Sequence, residues 1–410
     1  MSDDDGPAGH LRDGVPLREA VGTASPADWV RLDAEVRIPA WRTANRLPTR
    51  EELRGLPAGP LSDAAESRVA LALCHPDGRV REAALARVTG APGLRPLLVV
   101  RCADWVTPVR DRARALLGET AGPQLAPLAP LAPLILLLSR RDRGGFALRL
   151  LEGALRQGAA RNVEALLADE DRAVRRLAYR IAVDRQLLTP AELARTAATA
   201  SGDTSVQTLC ADAALAGAGE DDYDAVVAPL LASRSPQVRS AGVTGLRRTG
   251  RHREAIAFLA DRSALVRACA RYVVRQGGTD PLPLYRSMCA DPTRHPAAAA
   301  GLGECGSRAD VDRLWHLTGH QLPAVRAHAV SALCTLDAVR PDRLRPLLDD
   351  LSAVVVRAAA RALQPHAATL DTDLLRAGLA PDRARPTRIA ARRLLEAQER
   401  ALARGARPGP

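Results

Sequence analysis

Metal, phosphate and acyl-transfer chemistry each need particular residue types at particular spacings, and this sequence holds fragments of several. His316 and His320 stand four apart, the spacing that puts two imidazoles on one helical face as a zinc pair would need. Gly319 and Pro323 mark a helix end there, and no Cys–His cluster or acidic trio accompanies the pair. Glu220, Asp221, Asp222 and Asp224 are acidic enough to attract a cation but lack the spaced ligands of a calcium loop. Standing just before an apolar segment, they read as acids complementing a helix N-terminus. The stretch GLGECG (301–306) imitates a phosphate loop without a preceding strand or a lysine. No serine or cysteine carries a nucleophile signature. The seven cysteines never approach C-x-x-C spacing and sit singly in Ala/Leu stretches, as small core residues do. No metal, cofactor or catalytic residue is therefore expected, and a non-enzymatic role is expected with them.

What remains is arginine. All 58 basic residues are arginine, and against 47 acids they give a net charge of +11. The guanidinium is planar, always charged and suited to bidentate contact with carboxylate or phosphate. An all-arginine, alanine-rich composition is also what a GC-rich coding bias produces, so charge alone does not select nucleic acid as partner. Aromatics at 2% leave few rings to stack on bases, which argues against binding of single strands. The acidic, polar opening MSDDDGPAGH is no signal peptide, and isolated thiols fit a reducing, cytoplasmic setting. Residues 120–139 are uncharged over a membrane-like length, but Pro123, Pro127, Pro130 and Pro133 interrupt them. A proline-rich loop running into a buried helix is expected there, and no membrane span.

The elements that must position these arginines recur. Val-Arg pairs at Arg81, Arg110, Arg175, Arg239, Arg267, Arg326 and Arg357, with degenerate copies at Gly144, Gln207, Pro296 and Arg388, are spaced 28–34 residues apart. Three places after every anchor stands a small residue: Ala84, Ala113, Ala147, Ala178, Cys210, Gly242, Ala270, Ala299, Ala329, Ala360 or Ala391. Valine, a small residue four later and an aliphatic one turn beyond define one face of an α-helix, with the small site where a neighbouring backbone comes close. A second apolar segment precedes each such helix, separated by Pro, Gly, Asp and Ser turns. The expected fold is all-α: a right-handed α-solenoid of about eleven helix–turn–helix repeats. Residues 1–24 show no apolar period and are expected to be disordered. Residues 25–61 supply a capping helix and linker, 62–400 the solenoid and 401–410 a flexible basic tail. Ser25 and Asp28 start the capping helix, and Trp29, Leu32 and Val36 form its apolar stripe.

This pattern resembles the HEAT-repeat superfamily, most closely its short phycobilisome-lyase-type HEAT-like repeats, over about residues 62–400. In that family an Asp six before the second-helix Arg pairs with an Arg of an adjacent repeat. The resemblance thus implies a structural ladder of Asp104 with Arg110, Asp169 with Arg175, Asp261 with Arg267 and Asp382 with Arg388. His75, Ser233, His320 and Leu351 occupy the equivalent place elsewhere and would interrupt it. Some HEAT-like proteins are glycosylases that use Trp and Asp on alkylated DNA bases, so Trp105 and Asp111 invite comparison. One turn on from Trp105, however, stands Val109, and no second Trp matches. Nothing identifies a bilin pocket.

In the same family the second helices line the concave face. Four places after the anchors, Arg114, Arg271, Arg361 and Arg392 share that face with the anchor arginines, and Arg393 adjoins them. Like charges at i,i+4 repel unless an anion lies over them. These five are the expected partner-binding residues. The sequence reads as a monomeric scaffold or adaptor whose partly basic concave surface binds a protein with an acidic surface. Double-stranded nucleic acid is the second reading and an alkylated-base glycosylase the third.

Overall fold

The computed structural model describes residues 6–22, 25–37, 47–57, 59–121, 126, 128–200, 202–219 and 223–405, and every regular element among them is helical. The chain divides into two units, residues 1–188 and 189–410. The first opens with α1 (Pro7–Arg12), α2 (Leu17–Ala20), α3 (Pro26–Arg37) and α4 (Arg50–Gly55). Four helix pairs follow: α5 (Asp63–Leu73) with α6 (Gly78–Leu85), and α7 (Arg95–Arg101) with α8 (Thr107–Ala121). Then come α9 (Ala132–Leu138) with α10 (Gly145–Gln157), and α11 (Ala160–Leu167) with α12 (Arg172–Asp184).

The second unit holds α13 (Pro190–Thr199) with α14 (Thr204–Gly217), and α15 (Tyr223–Ala232) with α16 (Pro236–Arg248). A 3₁₀ segment, His252–Phe258, precedes α17 (Ala264–Gln276). The array continues with α18 (Pro281–Met288) and α19 (Ala298–Cys305), then α20 (Val311–Leu317) and α21 (Pro323–Thr335). It ends with α22 (Pro341–Leu344) before α23 (Ala353–Leu363), and α24 (Thr372–Ala377) before α25 (Arg385–Gly405). With four pairs in one unit and seven in the other, the expected eleven repeats are present.

Local chemistry starts the helices where the turns predict. Asp77 and Asp171 accept backbone N–H groups of the first turn, Thr189 and Glu192 form a reciprocal capping box, and Pro236 and Pro323 occupy the first helical position. Within each unit the helices form two layers. First helices pack on first helices, as α5 on α7 and α13 on α15, and second on second, as α6 on α8, α19 on α21 and α23 on α25. The small site explains why they approach so closely: Ala84, Ala113, Ala178, Cys210, Ala270 and Ala329 are completely buried. At Gly242 even a methyl group would sit 3.0 Å from the backbone nitrogen of Leu231. The uncharged stretch ends in α9, whose Ala132, Leu134, Ile135 and Leu138 are buried; Pro123 and Pro127 lie outside the described residues. No described helix is long and apolar enough to cross a membrane.

Three boundaries differ from the sequence reading. Residues 6–22 form α1 and α2, which pack on α5 and bury Leu11 and Leu17. Helix α3 does not cover the end of the array; Leu32 and Val36 are buried as it lies on α7 and α9. The terminal pair is covered instead by α1 and α2 on α5 and by α4 on α6. Polar contacts hold α3 there: Asp33 accepts from Arg101, and Arg37 Nε donates to the Cys74 carbonyl. Finally, residues 401–405 continue α25 and are not a separate tail.

Candidate functional site: from arginine ladder to arginine groove

The anchor arginines share one geometry. From the second turn of each second helix the side chain folds back, and Nη1 donates to the carbonyl six residues earlier. This occurs at Arg81, Arg110, Arg175, Arg239, Arg267 and Arg326, at 2.6–3.0 Å. The residue carrying that carbonyl uses its own side chain to accept the N–H two places on, closing the turn. Asp104, Asp169 and Asp261 do so with a carboxylate, His75 and His320 with Nδ1, and Ser233 with its hydroxyl. The departures from aspartate therefore keep the turn and lose only the charge.

The charge works across repeats. Asp104 takes two bonds from Arg81 of the preceding pair, at 3.0 and 2.9 Å, and another at 2.8 Å from Arg101. Asp261 takes two from Arg239, at 3.0 and 2.9 Å. A rung unforeseen in the sequence joins Arg326 to Asp350, twice at 2.8 Å. Burial pushes each of these carboxyls upward, but guanidinium bonds and backbone N–H groups outweigh it and hold all three below the usual aspartate value.

Asp350 also corrects the register of the tenth repeat. It stands six before Val356, and its carboxylate closes the turn onto Ser352 N–H as its counterparts do. The anchor is thus Val356, not Arg357. Ala359 fills the small site with no exposure, whereas Ala360 is only half-buried and Arg357 is exposed.

Among the described residues none of the four expected pairs closes between side chains: Arg110, Arg175 and Arg267 bond the backbone carbonyl of the Asp six before, while Asp104 and Asp261 give their carboxylates to the preceding anchor. Asp169 faces Gly144 at the preceding anchor, so no anchor arginine is available to it. Asp382 and Arg388 are both exposed, and no ion pair joins them to a described residue. Arg267, whose own Asp261 is held by Arg239, reaches forward to Glu304 on α19, 3.3 Å from Nε.

The five expected partner arginines also separate. Arg271 shares Glu304 with Arg267 and lies against the buried Tyr285 hydroxyl at 3.5 Å, so it belongs to the packing. Arg114 donates to the carbonyls of Cys102 and Arg143 and stacks 5.3 Å from the Phe146 ring centre, which ties α8 to the next pair. Arg392 is exposed and stands apart. Arg361 and Arg393 come together.

They meet in a groove of about 370 Å³ between α23 and α25. Arg357 and Arg361 rim it from α23, and Arg385 and Arg393 from α25. Among the described residues none of these four guanidiniums has an ion-pair or hydrogen-bond partner, and no described acid lines the groove. Its floor is apolar: Ala360, Pro386, Ala390, Leu394 and Ile389, the last 43% exposed. Arg385 and Ile389, which sequence reasoning missed, are one turn apart on α25; the i,i+4,i+8 series 385, 389 and 393 was the available signal.

The other candidates are occupied by structure. The Arg37 and Arg81 guanidiniums stack on the half-exposed Trp105 ring, 4.2 and 4.5 Å from its centre, and Asp111 is an exposed carboxylate 3.8 Å from Arg110. His316 is in the last turn of α20, while His320 closes a turn beyond it. No described cluster of three His, Cys, Asp or Glu is arranged to hold a metal. Glu220, Asp221 and Asp222 lie outside the described residues; Asp224 pairs with Arg251. Gly301 and Gly303 serve packing, because a methyl at either would strike the Tyr285 ring or the Ala332 backbone.

No family model matches the chain, and no curated protein matches it. Among solved structures, a chain of the Kap95:Nup1 complex is similar, with 11% identity and a TM-score of 0.35. The match covers 97% of this chain and 66% of that one. This is a helical-repeat protein. That statement rests on the packed pairs themselves, since so loose a likeness carries no argument about function.

Proposed function

We propose that the protein is a non-enzymatic helical-repeat scaffold that binds an acidic protein partner in the groove between α23 and α25. The observation that carries this reading is the set of four unpaired arginines around an apolar floor. Arg357 and Arg361 repel one another at i,i+4 spacing, and so do the charges across the groove, unless anions lie between them. The reading extends to a monomer in a reducing, cytoplasmic setting, supported by seven free thiols; burial pushes those of Cys102 and Cys210 up to about 12.

Duplex nucleic acid suits the floor less well. A phosphate backbone seeks polar donors throughout, and Ile389 and Pro386 offer none. Glycosylase action has no support from Trp105, whose ring is engaged by the Arg37 and Arg81 guanidiniums.

Fluorescence anisotropy with labelled poly-glutamate and a labelled duplex, titrated in parallel over a salt series, tests the proposal. Poly-glutamate should bind, and the double variant Arg361→Glu/Arg393→Glu should abolish the binding while melting like wild type. Tighter binding of the duplex, lost in the same variant, would transfer the groove to nucleic acid.

A further inference from the structure

We infer that the groove takes an amphipathic helix carrying one large apolar side chain with a carboxylate one turn to either side. This rests on the reading of the groove as the seat of an acidic protein partner and specifies that partner's form. The groove runs between two packed helices, which is the site where a third helix can set a side chain between ridges.

Its chemistry is ordered along α25 as charge, apolar, charge. Arg385, Ile389 and Arg393 are successive positions of one stripe, spanning about 12 Å at helical rise. Arg357 and Arg361 add a second charged row across the groove, about 6 Å long. The complementary ligand carries acid, apolar, acid at the same one-turn spacing. Its middle side chain would cover Ile389, which stands 43% exposed between two arginines. Ala360 and Ala390 on the floor leave room for that side chain, and Gln364 is the lone uncharged polar side chain in the lining.

Volume and composition favour this occupant over others. About 370 Å³ is far more than a single inorganic anion needs and accommodates a bulky side chain flanked by carboxylates. The lining holds no aromatic residue, so a nucleic-acid base would find no stacking surface.

The probes are short, alanine-rich, terminally blocked peptides labelled for anisotropy. One carries Glu-x-x-x-Phe-x-x-x-Glu, a second has the same composition scrambled, a third has Ala for Phe, and a fourth has Arg for both Glu. Wild-type protein should bind the first at least about tenfold more tightly than the second or third. Ile389→Ser should lose the preference for Phe over Ala while keeping the charge dependence. Arg361→Glu/Arg393→Glu should lose the first peptide and gain the fourth, a swap that misfolding cannot produce.

Equal binding of patterned and scrambled peptides would overturn the helical ligand and leave the acidic partner standing. If no acidic peptide or poly-glutamate bound at all, both readings would fall together. A wild-type dimer that excludes the peptides and is dissolved by Ile389→Ser would give the groove to a second copy of the chain.

Discussion

Arg81 of the first helix pair and Asp104 of the second close a two-point ion pair in which neither side chain has any exposure. Asp104 simultaneously holds Arg101 and the Val106 N–H, so one carboxylate fixes two helix pairs and a turn. Replacing it by Asn leaves Arg81 buried without its counter-charge and Arg101 with Asp33 alone. A loss of about 3–5 kcal/mol is expected for Asp104→Asn, read by urea unfolding. Asp382→Asn, at the exposed end of the same series, should change stability by less than about 0.5 kcal/mol. Equal effects at both positions would mean that the ladder is not what joins the repeats.

Acid should dissolve the ladder in a defined window. The Asp104, Asp261 and Asp350 carboxyls are all held below their ordinary 3.8 in the folded chain. The unfolded chain therefore takes up protons first as pH falls. The stabilisation is fully present above about pH 4–5 and is lost as pH drops through the lower, folded values. Unfolding midpoints of wild type and Asp104→Asn should stay far apart at about pH 6 and converge towards pH 3. A gap that stayed constant over that range would show that lost packing, not lost charge, sets the cost.

The tenth repeat offers a test one residue wide. Ala359 is fully buried against neighbouring helices and Ala360 lines the groove. Ala359→Leu should cost about 1–3 kcal/mol by overpacking, and Ala360→Leu little. At the sixth repeat, Gly242→Ala should also destabilise, because the added methyl meets the Leu231 backbone, which cannot swing aside. Thermal melts of the three variants check the register directly.

Much of this architecture was legible in advance because a buried small site must recur wherever helix backbones cross, and the 28–34-residue spacing exposes it. The slip at Arg357 arose where Val355 and Val356 both satisfy the local pattern; Asp350, six before Val356, was the distinguishing signal. Helices α1 and α2, of six and four residues, are too short to show a 3.6-residue period. The groove was half visible. Helical spacing picked out Arg361, and Arg393 was named only as the neighbour of Arg392; Arg385 opens α25 without a preceding Val and Ile389 resembles any core residue in sequence. Arg271 was misplaced for a related reason. Its partner Glu304 lies 33 residues away on another helix, a separation that no local spacing rule reaches.

Arg271 and Arg361 accordingly make the sharpest contrast. Both carry the i,i+4 signature of a surface arginine, yet one is 12% exposed with a carboxylate and a phenol beside it, and the other is unpartnered. Arg271→Ala removes a charge-assisted bond, leaves Glu304 to Arg267 alone and uncovers the Tyr285 hydroxyl, so it should cost about 1–3 kcal/mol. Arg361→Ala removes no bond and relieves repulsion from Arg357, so stability should hold or rise by a few tenths of a kcal/mol. Partner binding should move the opposite way, unaffected by the first change at temperatures where the protein stays folded and weakened by the second. Its salt dependence should flatten only for Arg361→Ala, because that charge faces the ligand. Melting curves and a salt titration of poly-glutamate binding on these two variants decide whether stability and recognition reside in separate arginines.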